Sequence, residues 1–522
     1  MIQIVDIFVL LLLAVAIIAL LARKLHIPYP ILFVIGGLSI GWLPHLPKIQ
    51  LNPDLVFLVF LPPLLFSAAV GTSWRDFRAN LRPISFLAVG LVLFTIVIVA
   101  WLAHHFMKLP LAAGFVLGAI ISPPDAIAAT AIAERLSVPR RIVTILEGES
   151  LVNDATALIA YRFAIAATLT SSFSLTNAGM QFFLVGGGGI LIGLLVGWLA
   201  VQFHKRVDDA SIEITMSLLT PFIAYLFAER CGGSGVLSVV TAGLYLGRRL
   251  PEIISYRTRL QGGPVWAMIE FLLNGFVFVL IGLELPDILH TLSANKDYTI
   301  NQLIGYALII SVAVIVIRVL WVFPATYLPR LIIKKICAKD PYPNWRYVTI
   351  IAWTGMRGVV SLAAALALTN TFPHRDLILF LTFIVIVTTL VVQGLSLPPL
   401  IRWLGIEDDG SELKEEREAR LQANRAALSR LNQIQEKNPE KAEVLQRLRI
   451  EYEDHIQQIE GEQIPGASAA LRLFSSEYER LSHEALQVER STLLQLRDAN
   501  VINDEILRRV QRDIDLAEIR LK

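Results

Sequence analysis

The chain has 522 residues, of which 55% are hydrophobic and only 17% are charged. Soluble domains carry about 25% charged residues, so this composition excludes an ordinary soluble protein and places most of the chain in lipid. The net charge of +2 gives no indication of a nucleic-acid partner. The two cysteines lie in distant segments and indicate neither a disulfide framework nor a metal site.

Thirteen apolar stretches read as membrane-spanning helices, because a helix needs about 20 apolar residues to cross the hydrocarbon layer. The first stretch has no basic segment before it and no cleavage site after it, so we expect a retained span rather than a removable signal. In chain order, the predicted spans are residues 3–22, 28–44, 54–71, 83–106, 109–134, 142–170, 179–203, 212–229, 233–247, 264–287, 301–328, 347–371 and 376–404.

The basic residues between these spans predict the orientation in the membrane. Most of them lie in the odd-numbered connections, and the even-numbered connections hold only Lys48, Lys108, Arg230, Lys296 and Arg375. Because Lys and Arg are retained on the cytoplasmic side, we expect the N-terminus outside and the C-terminal tail in the cytoplasm.

The fifth span is interrupted by the sequence SPPD at residues 122–125. Pro123 and Pro124 lack amide donors and clash with the preceding turn, so carbonyl groups near them lose their helical partners. Unwound backbone at membrane depth is tolerated only inside protein or beside a watery cavity. Asp125, directly after the prolines, is predicted either to cap the restarting helix or to belong to a binding site, and a cap at such a break is compatible with both.

The sixth span carries polar residues inside an apolar run. Ser150 and Asp154 are four residues apart and share a helix face, with Glu147 about one turn further back. Oxygen atoms on this face suit a small hard cation, although Ser150 has the alternative of bonding back to its own helix. Asn153 lies about 100° round the helix from Asp154 and is predicted to hydrogen-bond to a neighbouring helix.

Asp125 and Asp154 fall near the middle of two adjacent antiparallel spans, so we expect them to lie close together. Burial and a second carboxylate both favour the protonated form, whereas a bound cation favours the charged form. Proton and cation then compete for the same oxygen atoms, and occupancy depends on pH. One carboxylate that holds either ligand is the minimal machinery for exchange.

The twelfth span contains a second interruption, TGMRG at residues 354–358. Paired interruptions in corresponding halves indicate a transporter site at the bilayer midplane. The two segments are seven spans apart and cross in opposite directions, which agrees with inverted repeats. Glu149 and Arg357 are both buried and are predicted to form a structural ion pair, with neutralisation of the crossing as the alternative role of Arg357. Arg318 is expected to extend toward the cytoplasmic surface, and the role of Glu270 is open.

The composition changes sharply at Gly405, which divides the chain into a transmembrane domain, residues 1–404, and a charged helical tail, residues 405–522. The tail is rich in Glu, Arg, Gln and Leu and has no run long enough to span a membrane. It is either a solvated tail or a regulatory or self-associating module. The amphipathic helices predicted in it cover residues 414–435, 439–460, 468–498 and 502–521.

Several motifs together resemble the monovalent cation/proton antiporter family, in its electroneutral sodium/proton exchanger branch, which includes the bacterial NhaP-type proteins. The likeness covers about residues 1–405, and the combination is specific although each motif alone is modest. The Asn-Asp pair at the end of the sixth-span motif is typical of the electroneutral branch. The matching motifs are FLPPLLF at residues 60–66, SPPDAIAA at 122–129, GESLVND at 148–154, NGFVFVLIG at 274–282 and GMRGVVSLA at 355–363.

The resemblance implies an all-α membrane protein of about 13 transmembrane helices, with inverted repeats and two broken crossing helices. It implies a homodimer in the plasma (inner) membrane, with lipid as its surroundings and no resident cofactor. It also implies that Na⁺ or Li⁺ is exchanged for H⁺ by alternating access, in a role in pH homeostasis. The ion-site residues that it implies are Asp154 and Ser150 as ligands of the transported Na⁺, together with Asp125, Asn153 and the Pro124 backbone carbonyl. It also implies that Glu149 and Arg357 form a buried ion pair.

Two positions depart from the family pattern. Pro124 stands where many members have threonine, and Ser67 stands where many have glutamate. A potassium/proton antiporter is therefore the alternative. A channel is less consistent, because no TVGYG-type filter is present. An intramembrane aspartyl protease built on Asp125 and Asp154 leaves Asn153 and the second interruption without a purpose, and a non-transporting sensor leaves the buried acids without one.

Overall fold

The computed structural model describes residues 2–25, 28–42, 56–136, 138–170, 175–294, 298–369, 371–406, 410–437 and 442–461, with isolated residues from 481 onward. No strand occurs among these residues. The chain separates into two compact units, Met1–Asp408 and Asp409–Lys522. The tail helices predicted over 468–498 and 502–521 lie largely outside the described residues.

The first unit is built of helices joined by short connections. Short π-helical segments, Val56–Phe60 and Phe86–Leu91, directly precede the helices Leu61–Gly71 and Val92–Met107. The helices are α1 (Ile2–Leu25), α2 (Tyr29–Gly41), α3 (Leu61–Gly71), α4 (Trp74–Ala79), α5 (Leu81–Ser85), α6 (Val92–Met107), α7 (Leu111–Ile121), α8 (Ile127–Arg135), α9 (Arg140–Thr170), α10 (Leu175–His204), α11 (Ala210–Arg230), α12 (Gly235–Ile253), α13 (Tyr256–Ala294), α14 (Ile300–Ile332), α15 (Lys334–Lys339), α16 (Trp345–Trp353), α17 (Val359–Leu366) and α18 (Arg375–Trp403).

Every one of the thirteen predicted spans contains helix, and the prediction of an all-α membrane fold is confirmed. Among the described residues, three shorter apolar helices are Tyr29–Gly41, Phe57–Gly71 and Leu111–Ile121. The count of thirteen spans stays a prediction. In the part of the chain that the structure describes, six helical ranges are long and apolar enough to cross a membrane: Leu81–Met107, Gly179–His204, Ala210–Arg230, Tyr256–Pro286, Ile300–Ile332 and Arg375–Trp403.

Both predicted interruptions are present. The fifth span is divided into α7 and α8 by non-helical residues 122–126, and the twelfth is divided into α16 and α17 by residues 354–358. The first break falls at the two prolines, whose rings cannot continue the helical hydrogen-bond ladder. The second falls at a segment with glycine on both sides of Arg357, where helix propensity is low.

Two separate apolar cores organise the first unit. The larger core joins α1, α2, α6–α9, α13, α14 and α16–α18. The smaller core joins α3 to α10–α12, with Phe77 and Ile84 packed beside them. Helix α9 contributes to both, since Leu151 and Ala155 belong to the smaller core and Ala157 and Tyr161 to the larger. The seam between the two cores therefore follows α9.

Helices α2 and α13 pack at unusually close range through two glycines. A Cβ atom at Gly37 would overlap the carbonyl of Val279, and one at Gly282 would overlap the carbonyl of Val34. Such close backbone approach between membrane helices requires small residues at the contact. This contact fixes α13, which carries part of the site described below, against the N-terminal helices.

The second unit contains α19 (Ser411–Lys437) and α20 (Ala442–Gly461) among its described residues. The two helices pack together as a hairpin. The guanidinium of Arg417 donates to the carbonyl of Ile459, and Arg425 lies 2.7 Å from a carboxylate oxygen of Glu460. These helices correspond to the first two predicted in the tail, whereas a cytoplasmic location stays a prediction.

The α2–α13 contact gives a first testable prediction. We expect Gly37→Ala and Gly282→Ala each to lower the apparent melting temperature of the detergent-purified protein, because overpacking costs about 1–3 kcal/mol. Gly305→Ala on α14 is the matched control, since a Cβ there meets nothing within 4 Å and alanine favours helix. Equal melting temperatures for all three variants would contradict the close contact.

Candidate ion-binding site

The two unwound segments cross and satisfy each other's backbone groups. The amide of Asp125 donates to the carbonyl of Met356 at 2.7 Å, and the guanidinium of Arg357 donates to the carbonyl of Ser122. The amide of Arg357 donates to the hydroxyl of Thr389 on α18 at 3.0 Å. Because no water serves such groups in the hydrocarbon region, these bonds make the broken helices tolerable at that depth.

Asp125 lies at the centre of this crossing. One of its carboxylate oxygens accepts a hydrogen bond of 2.9 Å from the amide of Ile127, the first residue of α8. The other oxygen lies directly over Gly358, where a Cβ atom would overlap it. Asp125 therefore caps the restarting helix, which is one of its two predicted roles. Its carboxylate lies within the crossing, and its second predicted role, as part of a binding site, stays a prediction.

Helix α9 is joined to the first unwound segment by two side chains. The side-chain amide of Asn153 donates to the backbone carbonyl of Pro124 at 2.7 Å. The hydroxyl oxygen of Ser150 accepts from the amide of Ala126 at 3.3 Å. Asn153 makes the interhelical hydrogen bond that its position on the helix predicts. Direct ion ligation by Asn153, Ser150 or the Pro124 carbonyl stays a prediction.

A cavity of about 310 Å³ lies beside this crossing. Its walls come from α3 of the smaller core and from α8, α9, α13 and α17, so it occupies the seam between the two cores. Asp154 is only 7% exposed, yet it lines the cavity. The polar residues that the cavity brings together include Asp125, Glu147, Ser150, Asp154, Glu270 and Asn274.

The predicted ion pair between Glu149 and Arg357 is wrong. Glu149 is held by Arg318 of α14 through two parallel contacts, of 2.5 Å and 2.8 Å, and both side chains are almost fully buried. The third guanidinium nitrogen of Arg318, Nε, donates to the carbonyl of Ile351 on α16 at 3.0 Å. The planar fork of arginine matches a carboxylate in this bidentate geometry, and it draws Arg318 inward rather than toward the cytoplasmic surface.

Arg357 contacts the backbone of the crossing instead. Its Nη1 is bonded to the Ser122 carbonyl, whereas its Nε and Nη2 have no hydrogen-bond partner among the described residues. A buried positive charge at this point faces carbonyl groups that the broken helix leaves exposed, and it offsets their partial negative charge. The contact is compatible with neutralisation of the crossing, which stays a prediction.

Three polar residues of this region lie where the sequence did not place them. Arg318 was expected at the surface, Glu270 had no assigned role, and Asn274 was noted only as part of a motif. The sequence nevertheless marks all three as candidate site residues, because each is a polar side chain inside an apolar span. What the sequence lacks is the identity of their partners.

Comparisons with known proteins show what the chain is similar to. Residues 9–403 match the family described as sodium/hydrogen exchanger, transmembrane. An uncharacterized Na⁺/H⁺ exchanger of Mycobacterium bovis is 34% identical over 515 residues, which cover 97% of this chain and 94% of that protein. The Na⁺/H⁺ antiporter ApNhaP of Aphanothece halophytica is 32% identical over 92% of this chain and 90% of its own.

A third relative, a sodium, potassium, lithium and rubidium/H⁺ antiporter of Bacillus pumilus, is 37% identical over 72% of this chain and 58% of its own. Among solved structures, the sodium proton antiporter MjNhaP1 of Methanocaldococcus jannaschii has the same fold. Its TM-score is 0.61 at 20% sequence identity, and the match covers 77% of this chain and 99% of that one.

The partner of Glu149 can be tested with double-mutant cycles. Glu149→Gln or Arg318→Met alone should each destabilise the protein by about 3–5 kcal/mol, because each leaves a buried charge without its partner. The double variant should recover part of that loss. In the matched cycle of Glu149→Gln with Arg357→Met, we expect much weaker coupling. Apparent melting temperatures of the purified variants measure both, and stronger coupling to Arg357 would contradict the assignment.

Proposed function

Because this chain belongs to the sodium/hydrogen exchanger family, we propose that Asp154 is the single carboxylate at which a monovalent cation and a proton exchange. The protein is a monovalent cation/proton antiporter of the NhaP type. It is therefore a secondary transporter rather than an enzyme, and the protease alternative is wrong.

The position of Asp154 carries this proposal. Asp154 is buried yet lines a cavity at the seam of two helical cores, beside an unwound segment. The oxygen atoms of Ser150 and Asp125 line the same cavity. Hard monovalent cations prefer oxygen ligands, and a buried acid inside a membrane protein is by default a functional site. We assign the Pro124 carbonyl as a further ligand.

Exchange follows from competition at one site. A bound cation holds the Asp154 carboxylate in its charged form, and a proton displaces the cation by neutralising that charge. The empty, charged carboxylate is unfavourable in the protein interior. The site therefore changes the side of the membrane to which it is open mainly when it holds one ligand or the other. One carboxylate gives one proton per cation, which makes the exchange electroneutral.

The two cores supply a basis for alternating access. The smaller core contributes the α3 wall of the cavity, and the larger core contributes the crossing. We propose that the cores move against each other along α9 and open the cavity to one side of the membrane at a time. We further propose a homodimer in the plasma membrane, with the N-terminus outside, the tail in the cytoplasm and no resident cofactor.

Na⁺ is the proposed cation, with Li⁺ as a further substrate and K⁺ as the alternative. The names of related antiporters cover Na⁺, K⁺, Li⁺ and Rb⁺. The two departures from the family pattern lie next to candidate residues, since the carbonyl of Pro124 accepts a hydrogen bond from Asn153 and the hydroxyl of Ser67 donates one to Glu270.

Replacement of the central acid tests the proposal directly. Asp154→Asn should abolish cation-driven proton movement in proteoliposomes, because an amide neither holds the cation charge nor releases a proton. Asp376→Asn, at the start of α18 and away from the cavity, is the matched control and should keep full exchange. Fluorescence dequenching with Na⁺, Li⁺ and K⁺ added in turn measures both variants. Full exchange by Asp154→Asn would remove Asp154 from this role.

Competition also predicts how activity depends on pH. Protons occupy the site at low pH, so a higher cation concentration is needed to displace them. Raising the cation concentration tenfold should therefore shift the acidic limb of the activity profile toward lower pH by up to about one unit. Exchange rates measured across pH at several Na⁺ concentrations check this. A profile that stays fixed over that range would argue against a shared site.

A further inference from the structure

One wall of the cavity is formed by α13, and its polar face has no part in the exchange described above. Glu270 and Asn274 are four residues apart on this helix and therefore share a face. Both line the cavity that holds Asp154. They approach it from a different helix than Ser150 and Asp125 do.

Asn274 carries an unsatisfied polar atom. Its side chain is 7% exposed, and its Oδ1 oxygen has no hydrogen-bond partner among the described residues. Buried polar atoms are nearly always paired, so an unpaired acceptor on a cavity wall indicates a ligand or water at that place. An amide oxygen is a ligand that hard cations accept.

Glu270 is held in position by the opposite helix. The hydroxyl of Ser67 on α3 donates to one of its carboxylate oxygens, which leaves the second oxygen available to the cavity. Among the described residues that line this cavity, four are acidic and none is basic. A cleft lined by one sign of charge raises the local concentration of the opposite ion.

A second cavity extends from Glu270 toward the start of α13. It has a volume of about 400 Å³ and is lined by Glu270, by Arg259 near the start of α13 and by His204 at the end of α10. These helix ends adjoin the connections that carry most of the basic residues and are assigned to the cytoplasm. Glu270 therefore lies between that surface and the space around Asp154.

We propose that Glu270, Asn274 and Ser67 form an outer cation site, which binds a partly hydrated monovalent cation before it reaches Asp154. The Glu270 carboxylate supplies the charge, and the Asn274 and Ser67 oxygens supply neutral ligands. This inference rests on the proposed function and adds a second binding step to it. The outer site raises the occupancy of the cavity without taking part in proton exchange.

The first test separates affinity from turnover. Glu270→Gln should raise the apparent KM for Na⁺ roughly fivefold, in keeping with the loss of one partly solvated charge contact, with kcat changed little. Glu284→Gln is the matched control, because it lies on the same helix and does not line the cavity. Antiport in proteoliposomes at constant pH measures both. An unchanged apparent KM for Glu270→Gln would overturn the outer site.

The second test distinguishes ligation from structural support. Ser67 on α3 is hydrogen-bonded to Glu270 and lines the second cavity with it. Ser67→Glu in the Glu270→Gln background therefore returns a carboxylate from the facing helix and should restore the lower apparent KM. A merely structural role for Glu270 predicts no rescue, because the packing at both positions is then altered. If the double variant is monodisperse and keeps the raised KM, the outer site is rejected.

A third measurement keeps this inference separate from the assignment of Asp154. Radioactive Na⁺ binding to purified Asp154→Asn protein should retain a weak component, and adding Glu270→Gln should remove it. Loss of all binding in Asp154→Asn alone would overturn the outer site and leave the exchange site intact. Full transport by Asp154→Asn with a raised KM in Glu270→Gln would overturn the proposed exchange site and support the outer one.

Discussion

The structure depends on one constraint, which is that backbone polar groups at membrane depth must find partners inside the protein. Two prolines break one helix, and a glycine-flanked arginine breaks another. The groups thus released pair across the crossing, with the amide of Asp125 on the carbonyl of Met356 and Arg357 on the carbonyl of Ser122. A chain that satisfied these groups within continuous helices would have no cavity here, and its acids would have no access to ions.

Helix α9 brings three polar side chains to this crossing and to the cavity beside it. Ser150 and Asn153 bond to the unwound segment, while Asp154 reaches the cavity from the same helix. The helix also lies at the seam of the two apolar cores, since its residues contribute to both. Any movement of one core against the other would therefore act on the helix that carries Asp154. In the proposed mechanism, α9 is therefore the element that would couple a change of charge at Asp154 to a movement of the cores.

The buried arginines show how charge is divided in this interior. Arg318 neutralises Glu149 through a bidentate contact, which satisfies both partners with few additional bonds. Arg357 has no acidic partner among the ion pairs of the described residues and is directed at backbone carbonyls instead. Among the described residues that line the cavity, Asp125, Glu147, Asp154 and Glu270 are acidic and none is basic. A mobile cation is the counter-charge that such a cavity suits.

The sequence alone determined the membrane class, the two interruptions, the candidate acids and the family, because apolar length, proline and glycine act locally along the chain. It also predicted the Asn153 bond, since helical spacing sets which way that side chain points. Only the tertiary structure decided which arginine pairs with Glu149, because Arg318 and Arg357 are both distant in sequence and equally charged. The same holds for Glu270 and Ser67, which are 203 residues apart. Local patterns fix which residues are buried and charged, whereas the choice among distant partners depends on how the helices pack.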